Sequence, residues 1–308
     1  MPSKRELLDQ ALASLPSDVA RAALAIVEGD GFRGVIPYAE AKRAAEEMGL
    51  TMGELMLLLV PFATAWAEPA ISNYRVGAVA QGSTTGSLYF GANMEFVGGA
   101  LSFTIHAEQS ACTNAWINGE EGLSQLAVSA APCGYCRQFL YEITTAEKLP
   151  VLLEGKPAEL LTSLLPEAFG PADLGVTAAL MSPADHGLLL DNASPDPVVA
   201  AALAAANASY APYTNGYSGV AVLATSGEIY AGRLTENAAY NPSMSPLESA
   251  LTMCSLAEEA TDSVSRVVLV QVDGAIADQT SATAAVVDSL RRSGPVELEV
   301  LGAHAASP

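Results

Sequence analysis

Cations are scarce in this chain of 308 residues: 14 Lys and Arg stand against 34 Asp and Glu, a formal net charge of −20. They are also scattered, adjacent only at Lys4-Arg5, Lys42-Arg43 and Arg291-Arg292. A nucleic-acid strand or an anionic membrane is held by clustered cations, so neither is an expected partner. Cysteine is equally sparse; four residues do not make a disulfide framework in a chain this long. Long hydrophobic runs are missing too. The most apolar stretch, Leu55 to Ala67 (LMLLLVPFATAWA), has thirteen residues and contains Pro61. A membrane span needs about 20 residues, so this stretch is expected to pack as a core helix or strand. The opening MPSKRELLDQALASLP has no apolar signal core, and the chain is expected to be soluble and cytoplasmic. With 50% apolar and 16% charged residues it can bury a sizeable core despite its acidity.

At about 100–200 residues per domain, the length suggests two domains plus a small third element. RELLDQALASL and DVARAALAIVEGDG have apolar spacings of three and four, and the second stops at Gly29 and Gly31. Pro37 opens a further helix, YAEAKRAAEEMG, ending at Gly49. This helical lead-in carries six of the fourteen basic residues. From Ile71 the texture changes. YRVGAVAQGSTTGSLYFGA reads as a hairpin, Ile105 to Asn118 as helix, QLAVSAA as strand and CRQFLYEITTAEK as helix. Such alternation implies a layered α/β domain. A linker follows, spaced by Pro166, Pro171 and Pro183, with a turn cluster at Asn192 to Pro197.

The second half echoes the first. Tyr74 to Val79 (YRVGAV) is matched by Tyr217 to Val222 (YSGVAV), Gly91 to Glu95 (GANME) by Gly232 to Glu236 (GRLTE), and the string starting at His106 by the one starting at Pro246. The offsets of 143, 141 and 140 residues keep one order and a nearly constant value, which points to a duplicated domain.

Histidine is rarer still, present only at positions 106, 186 and 304. His106 heads the string His106-Ala107-Glu108, and Pro132-Cys133-Gly134-Tyr135-Cys136 follows. One imidazole and two thiolates form a three-ligand zinc set whose fourth position is left for water, the arrangement of a catalytic zinc. The C-x-x-C spacing puts both sulfurs on one side of a helix's first turn, and Pro132 suits a helix start. A C-x-x-C alone also fits a thioredoxin-like redox pair. The ordered combination of H-A-E with P-C-x-x-C, however, is the signature of zinc nucleobase deaminases.

On the strings FGANMEF (90–96), HAEQSA (106–111) and PCGYCRQF (132–139), the chain resembles the cytidine deaminases of the longer, duplicated, homodimeric bacterial class. The resemblance implies an α/β fold of duplicated α/β/α three-layer domains with mixed sheets, behind a small N-terminal helical segment. The expected division is 1–50 for that segment and 51–190 for the catalytic zinc domain, with a linker at about 155–195. The second domain, 191–308, would lack the metal site. One Zn2+ per chain is expected on His106, Cys133 and Cys136, with Glu108 as the catalytic proton shuttle. The implied reaction is hydrolytic deamination of cytidine and 2′-deoxycytidine, within pyrimidine salvage.

Further roles follow from the same resemblance. Asn93 and Glu95 would bind the ribose, Tyr74 would lie against the pyrimidine, and the backbones of Ala107 and Ala131 would read its edge. Arg137 can temper thiolate charge or sit in a surface salt bridge. In the second half Pro246 is read as replacing the ligand histidine, Cys254 has no partners for a metal site, and Glu236 and Glu248 are read as structural. Cys112 is expected to be a buried thiol, and His186 and His304 to be surface residues. Phe169 is a candidate contact across the dimer. Competing functions are a deaminase acting on another cytosine-containing substrate or on nucleic acid, and a non-catalytic C-x-x-C redox or metal-binding module.

Overall fold

A computed structural model describes residues 3–13, 15, 19, 20, 23, 25, 27 and 32–305. The chain divides into two compact units, Met1–Glu95 with Thr104–Ala168 and Phe96–Phe103 with Phe169–Pro308.

The first unit begins with α1 (Lys4–Ala13), β1 (Val35–Ile36), α2 (Tyr38–Met48) and α3 (Met52–Ala63). In the segment DVARAALAIVEGDG the described residues Val19, Ala20, Ala23, Ala25 and Val27 are helical, whereas its stop at Gly29 and Gly31 lies outside the described residues. Gly49 ends α2 in the left-handed region at φ 67°, where a side chain would be strained. Thr51 opens α3 with a reciprocal capping box: Glu54 N–H donates to Thr51 Oγ1, and Thr51 N–H donates to the Glu54 carboxylate at 2.7 Å. The apolar stretch from Leu55 is therefore helix, with Leu55, Met56, Leu59, Val60, Phe62 and Ala63 buried. Among the described residues no single helix is long and apolar enough to cross a membrane; α2 and the run Met52–Trp66 bend by 101° at their junction.

The hairpin appears as expected, β2 (Gly77–Gly82) antiparallel to β3 (Leu88–Ala92), and is followed by α4 (Ala107–Ile117), β4 (Leu123–Val128) and α5 (Gly134–Leu140). β5 (Pro150–Leu152), β6 (Glu159–Leu160) and the short α6 (Leu161–Leu164) complete the unit. The segment CRQFLYEITTAEK is not one helix. It stops at Leu140 because Thr144 and Thr145 turn their hydroxyls to the carbonyls of Glu121 and Leu123, tying that stretch to the start of β4 instead of continuing the helix. Sheet order is β1-β3-β2-β4-β5-β6, with β4 and β5 parallel and the remaining pairs antiparallel.

Two glycines set the layers. A Cβ on Gly77 would run into Val60 O and Thr64 N of the α3 end, and one on Gly91 into Ala107 O and Ala111 N of α4. Gly91 pairs with Ala78, so Gly77 and Gly91 face opposite sides of the sheet, and α3 and α4 cover opposite faces. The unit is an α/β/α sandwich.

The second unit contains β7 (Leu188–Leu190), α7 (Pro197–Asn207), β8 (Ser218–Ala224), β9 (Ile229–Arg233), α8 (Pro246–Leu256), β10 (Val264–Val272), α9 (Thr280–Leu290) and β11 (Glu297–Ala305). Its order is β7-β11-β10-β8-β9, with β10 and β11 parallel. The same device recurs. Gly219 lies against Ala202 O and Ala206 N of α7, and Gly232, paired with Val220, lies against Pro246 O and Ala250 N of α8. Both units are thus α/β/α layers around a mixed sheet. The His186 expectation is corrected here. It is half-buried, its Nε2 faces Ser209 O at 2.8 Å, and its ring stacks on Tyr217 at 3.5 Å, so it ties the start of this unit to β8. His304 is exposed and lies 3.3 Å from Asp191.

Because these glycines meet backbone rather than flexible side-chain ends, relief requires the helix to move. Gly91→Ala and Gly232→Ala are each expected to lower stability by about 1–3 kcal/mol or more, measured by urea unfolding. Gly294→Ala, where nothing lies within 4 Å of the new methyl, should stay within about 0.5 kcal/mol.

Candidate active site

The site is built where two helices begin. His106 is the N-cap of α4, in extended conformation, with its own N–H donating to the Gln109 side chain at 3.2 Å. Cys133 is the N-cap of α5, and Cys136 falls in that helix's first turn. The approach to α5 is tied to β2: Ser129 N–H donates to Gly77 O and Gly77 N–H donates to Ser129 Oγ, both at 3.0 Å. The Cys133 sulfur consequently lies 3.7 Å from His106 Nδ1 and 3.6 Å from the Cys136 sulfur. All three donor atoms lie within 4.8 Å of one another. An imidazole nitrogen and two sulfurs this close fit a tetrahedral metal with one position left open. Tyr135, between the cysteines, stacks on the His106 ring at 5.2 Å and 24°. Arg137 donates to Pro132 O at 2.8 Å and Leu164 O at 2.6 Å, and joins no salt bridge among the described residues.

The Cys136 S–H donating to Cys133 holds the Cys133 thiol down at about 5 against partial burial, helped by the N–H groups of Cys136 and Tyr135 and by His106. Cys136 is pushed up, first by donating that hydrogen bond and then by burial. Burial also raises the Glu108 carboxyl, in the first turn of α4 and 4% exposed, while its own N–H, the Cys136 side chain and His106 act the other way. Cys112 is buried, pushed up to about 12 by its surroundings, and stands outside the donor group.

A cavity of ≈ 380 Å³ opens beside Glu108, His106 and Cys133; its lining also includes Tyr74, Asn93, Glu95, Thr104 and Ala107. Ala107, the first residue of α4, has no carbonyl four residues back for its N–H within the helix. Ala131 also lines the space, and Tyr74, 62% exposed, stands at its open side. Asn93 and Glu95 do more than line it. Asn93 accepts from Val76 N–H at 2.8 Å and donates to Tyr74 O at 2.9 Å. Glu95 accepts from the N–H groups of Ile71 and Ser72 and from the Ser72 hydroxyl at 2.7, 2.8 and 2.5 Å. Partial burial raises this carboxyl, but those donors hold it below its ordinary value. The two side chains therefore fasten the loop that carries Tyr74, whose Asn73 sits at φ 59°. Sequence reasoning missed Ser72, Thr104 and Tyr135. Thr104 had a signal, period-two spacing from His106, whereas the Tyr135 stack depends on where α4 lies.

Residues 53–152 and 161–284 each match a family model of the cytidine and deoxycytidylate deaminase zinc-binding region. A cytidine deaminase of Photobacterium profundum is 43% identical over 93% of this chain and 96% of its own length. One of Yersinia pestis is 44% identical, covering 90% and 94% of the two chains. This chain belongs to the cytidine deaminase family. A solved cytidine deaminase from Mycobacterium tuberculosis is 32% identical, covers 35% of this chain and 89% of that one, and has a TM-score of 0.32.

For a cytidine deaminase with two copies of its domain, the second unit is an internal control, once the copies are aligned by structure. Asn73 and Asn215 are both left-handed, and Gly77 and Gly219 both admit a helix, an offset of 142. The sequence offset of 143 is one residue too long, so Tyr74 corresponds to Gly216, not Tyr217. Glu95 and Glu236 match at 141: Glu236 accepts from the N–H groups of Tyr213 and Thr214 and from the Thr214 hydroxyl. Helices α4 and α8 align at 139, with Ser110 and Ser249 both accepting a strand N–H. This corrects the reading of Pro246. Ser245, the N-cap of α8, stands in the place of His106, Leu247 in that of Glu108, and Glu248 in that of Gln109. Leu234 takes the place of Asn93. The second copy keeps the loop fastener Glu236 and the cap Glu248 while losing the counterparts of Tyr74, Asn93, His106 and Glu108, and has no metal-donor group among the described residues.

Glu248 is raised to about 7 by burial, against its hydrogen bonds with Ser245. Below an unfolded value of 4.5 folded and unfolded chains both hold the proton; between there and about 7 only the folded chain does. Stability should therefore fall as pH rises through that window and then level off, by on the order of 2–3 kcal/mol. Glu248→Gln keeps an acceptor for Ser245 N–H and should flatten this part of the profile, checked by urea unfolding at pH 5, 6 and 7.5.

Proposed function

We propose that this chain is a zinc-dependent cytidine deaminase that hydrolyses cytidine and 2′-deoxycytidine to uridine and 2′-deoxyuridine plus ammonia. The observation that carries this reading is a buried carboxyl, Glu108, opening into the same cavity as the His106 and Cys133 donors, with Cys136 completing the donor group beside them. Those three residues would hold the zinc. When bound, zinc acts as a Lewis acid that brings the pKa of a water toward neutrality. Glu108 takes a proton from the attacking water and delivers it to N3 of the pyrimidine. It then passes the second proton to the amino group as the C4–N bond breaks and ammonia leaves. A carboxyl raised by burial accepts and returns a proton near neutral pH more readily than an exposed one. The Ala107 N–H and the Ala131 backbone read the pyrimidine edge, and Tyr74 packs against its face.

Asn93 and Glu95 bind the sugar as well as fastening the loop, since Asn93 keeps one N–H and both side chains keep acceptor lone pairs. The net charge of −20 favours an uncharged free nucleoside over a strand. The same reading gives a helical segment at 1–50, a catalytic domain at 51–190 with its linker at about 155–195, and a second domain at 191–308. It describes a cytoplasmic homodimer, in a compartment that keeps Cys133 and Cys136 reduced. Phe169, 45% exposed, would contact the partner subunit.

Metal analysis coupled to a cytidine-to-uridine absorbance assay tests the reading. Wild type should hold one zinc per chain and act on free cytidine in preference to an oligonucleotide; Cys133→Ala should lose both zinc and activity. A metal-free wild type with a reversible Cys133–Cys136 disulfide would instead establish the redox module. Glu108→Gln is expected to keep its zinc and lose roughly 10²–10⁴-fold or more in kcat; near-full turnover would remove Glu108 from the mechanism.

A further inference from the structure

We propose that Thr104 is a substrate-contacting residue whose hydroxyl bonds a hydroxyl of the nucleoside's sugar and so sets sugar specificity. This rests on the deaminase reading above. Met94 and Ile105 exchange both backbone hydrogen bonds, Met94 N–H to Ile105 O at 3.0 Å and Ile105 N–H to Met94 O at 2.9 Å, as an isolated antiparallel bridge. Their side chains are buried on one face. By alternation the flanking residues point to the other face, where Asn93 stands opposite His106 and Glu95 opposite Thr104. All four line the cavity, as this register requires. One rung carries a metal donor; the next, two residues along, pairs Thr104 with Glu95, one of the two proposed sugar binders.

Most of the polar side chains near Thr104 are engaged by the loop. Glu95 receives three donors, Asn93 holds Val76 and Tyr74, and the Ser72 hydroxyl donates to Glu95 and accepts from Tyr74 N–H at 3.0 Å. Thr104 is half-buried, and its hydroxyl has no partner among the described residues. The duplicate shows that this hydroxyl can be used structurally. Thr235 and Met244 form the equivalent bridge, Ser243 stands in the place of Thr104, and its hydroxyl accepts from Asn237 N–H at 3.0 Å. The metal-less copy thus spends the hydroxyl on its own backbone, while the copy with the metal donors leaves it facing the cavity. A hydroxyl that both donates and accepts suits a sugar hydroxyl, which does the same.

The test compares wild type with Thr104→Val, which keeps the shape, and Thr104→Ser, which keeps the hydroxyl. Each is assayed on cytidine and its 2′-deoxy, 3′-deoxy and 5′-deoxy analogues, with zinc content and thermal unfolding as independent readouts. Thr104→Val should retain its zinc and fold, and lose about tenfold in kcat/KM on cytidine. Thr104→Ser should restore the rate, and the loss should vanish on the one analogue lacking the contacted hydroxyl. An equal loss on every analogue, or none on cytidine, would overturn the proposal; if the valine variant fails to fold, Thr104→Ala supplies the same comparison. A wild type inactive on all four nucleosides would refute the deaminase reading, and this proposal with it.

Discussion

The architecture of the first unit depends on the close approach of helix backbone to strand backbone at Gly91. With no Cβ in the way, α4 beds against β3, and its N-terminus arrives beside the end of β4, where α5 starts. His106 and Cys133 are the two N-caps. A helix start leaves N–H groups unpaired and concentrates positive potential, which favours thiolates. The three-donor cluster follows from two helices starting at one place.

Burial then assigns different tasks to neighbouring groups. Glu108 is two residues from His106 but on the first turn inside the helix, where lost solvation raises its carboxyl. Glu95, on the opposite wall, is satisfied by three donors and held below its ordinary value. One carboxyl is kept ready to carry a proton, and the other is kept ionised as a fastener. In the second unit burial raises Glu248 in the same way, with no metal donor group beside it among the described residues, while Glu236 repeats the fastening hydrogen bonds of Glu95.

Duplication separates structural from chemical demands within one chain. What both copies share is what the fold requires: glycines under helices, a left-handed asparagine, a glutamate holding the following loop, a serine accepting a strand N–H. What only the first copy has is the cavity chemistry: Tyr74, Asn93, His106, Glu108 and the cysteine pair. Glu95 is on the shared list, which no motif string indicates. The comparison depends on register, since a one-residue slip sends side chains to the wrong face of a strand.

Much of this was legible in the amino-acid order. The hairpin, the helix after His106, the two α/β halves and the His-Cys-Cys donor set follow from local periodicity, turn residues and spacing, all short-range properties. The helix read through CRQFLYEITTAEK was overestimated because Thr144 and Thr145 are captured by carbonyls from the beginning of β4. The offsets at 143 and 140 were each one residue long because string similarity does not register which glycine admits a helix. His186 looked like a linker residue because its stack on Tyr217 joins positions far apart in sequence. By itself, the sequence determined which residue types are available for chemistry and in what order. Only tertiary structure decided which of their polar atoms remain free, because hydrogen bonds from distant backbone occupy some, as at Glu95 and Ser243, and leave others, as at Thr104, facing the cavity.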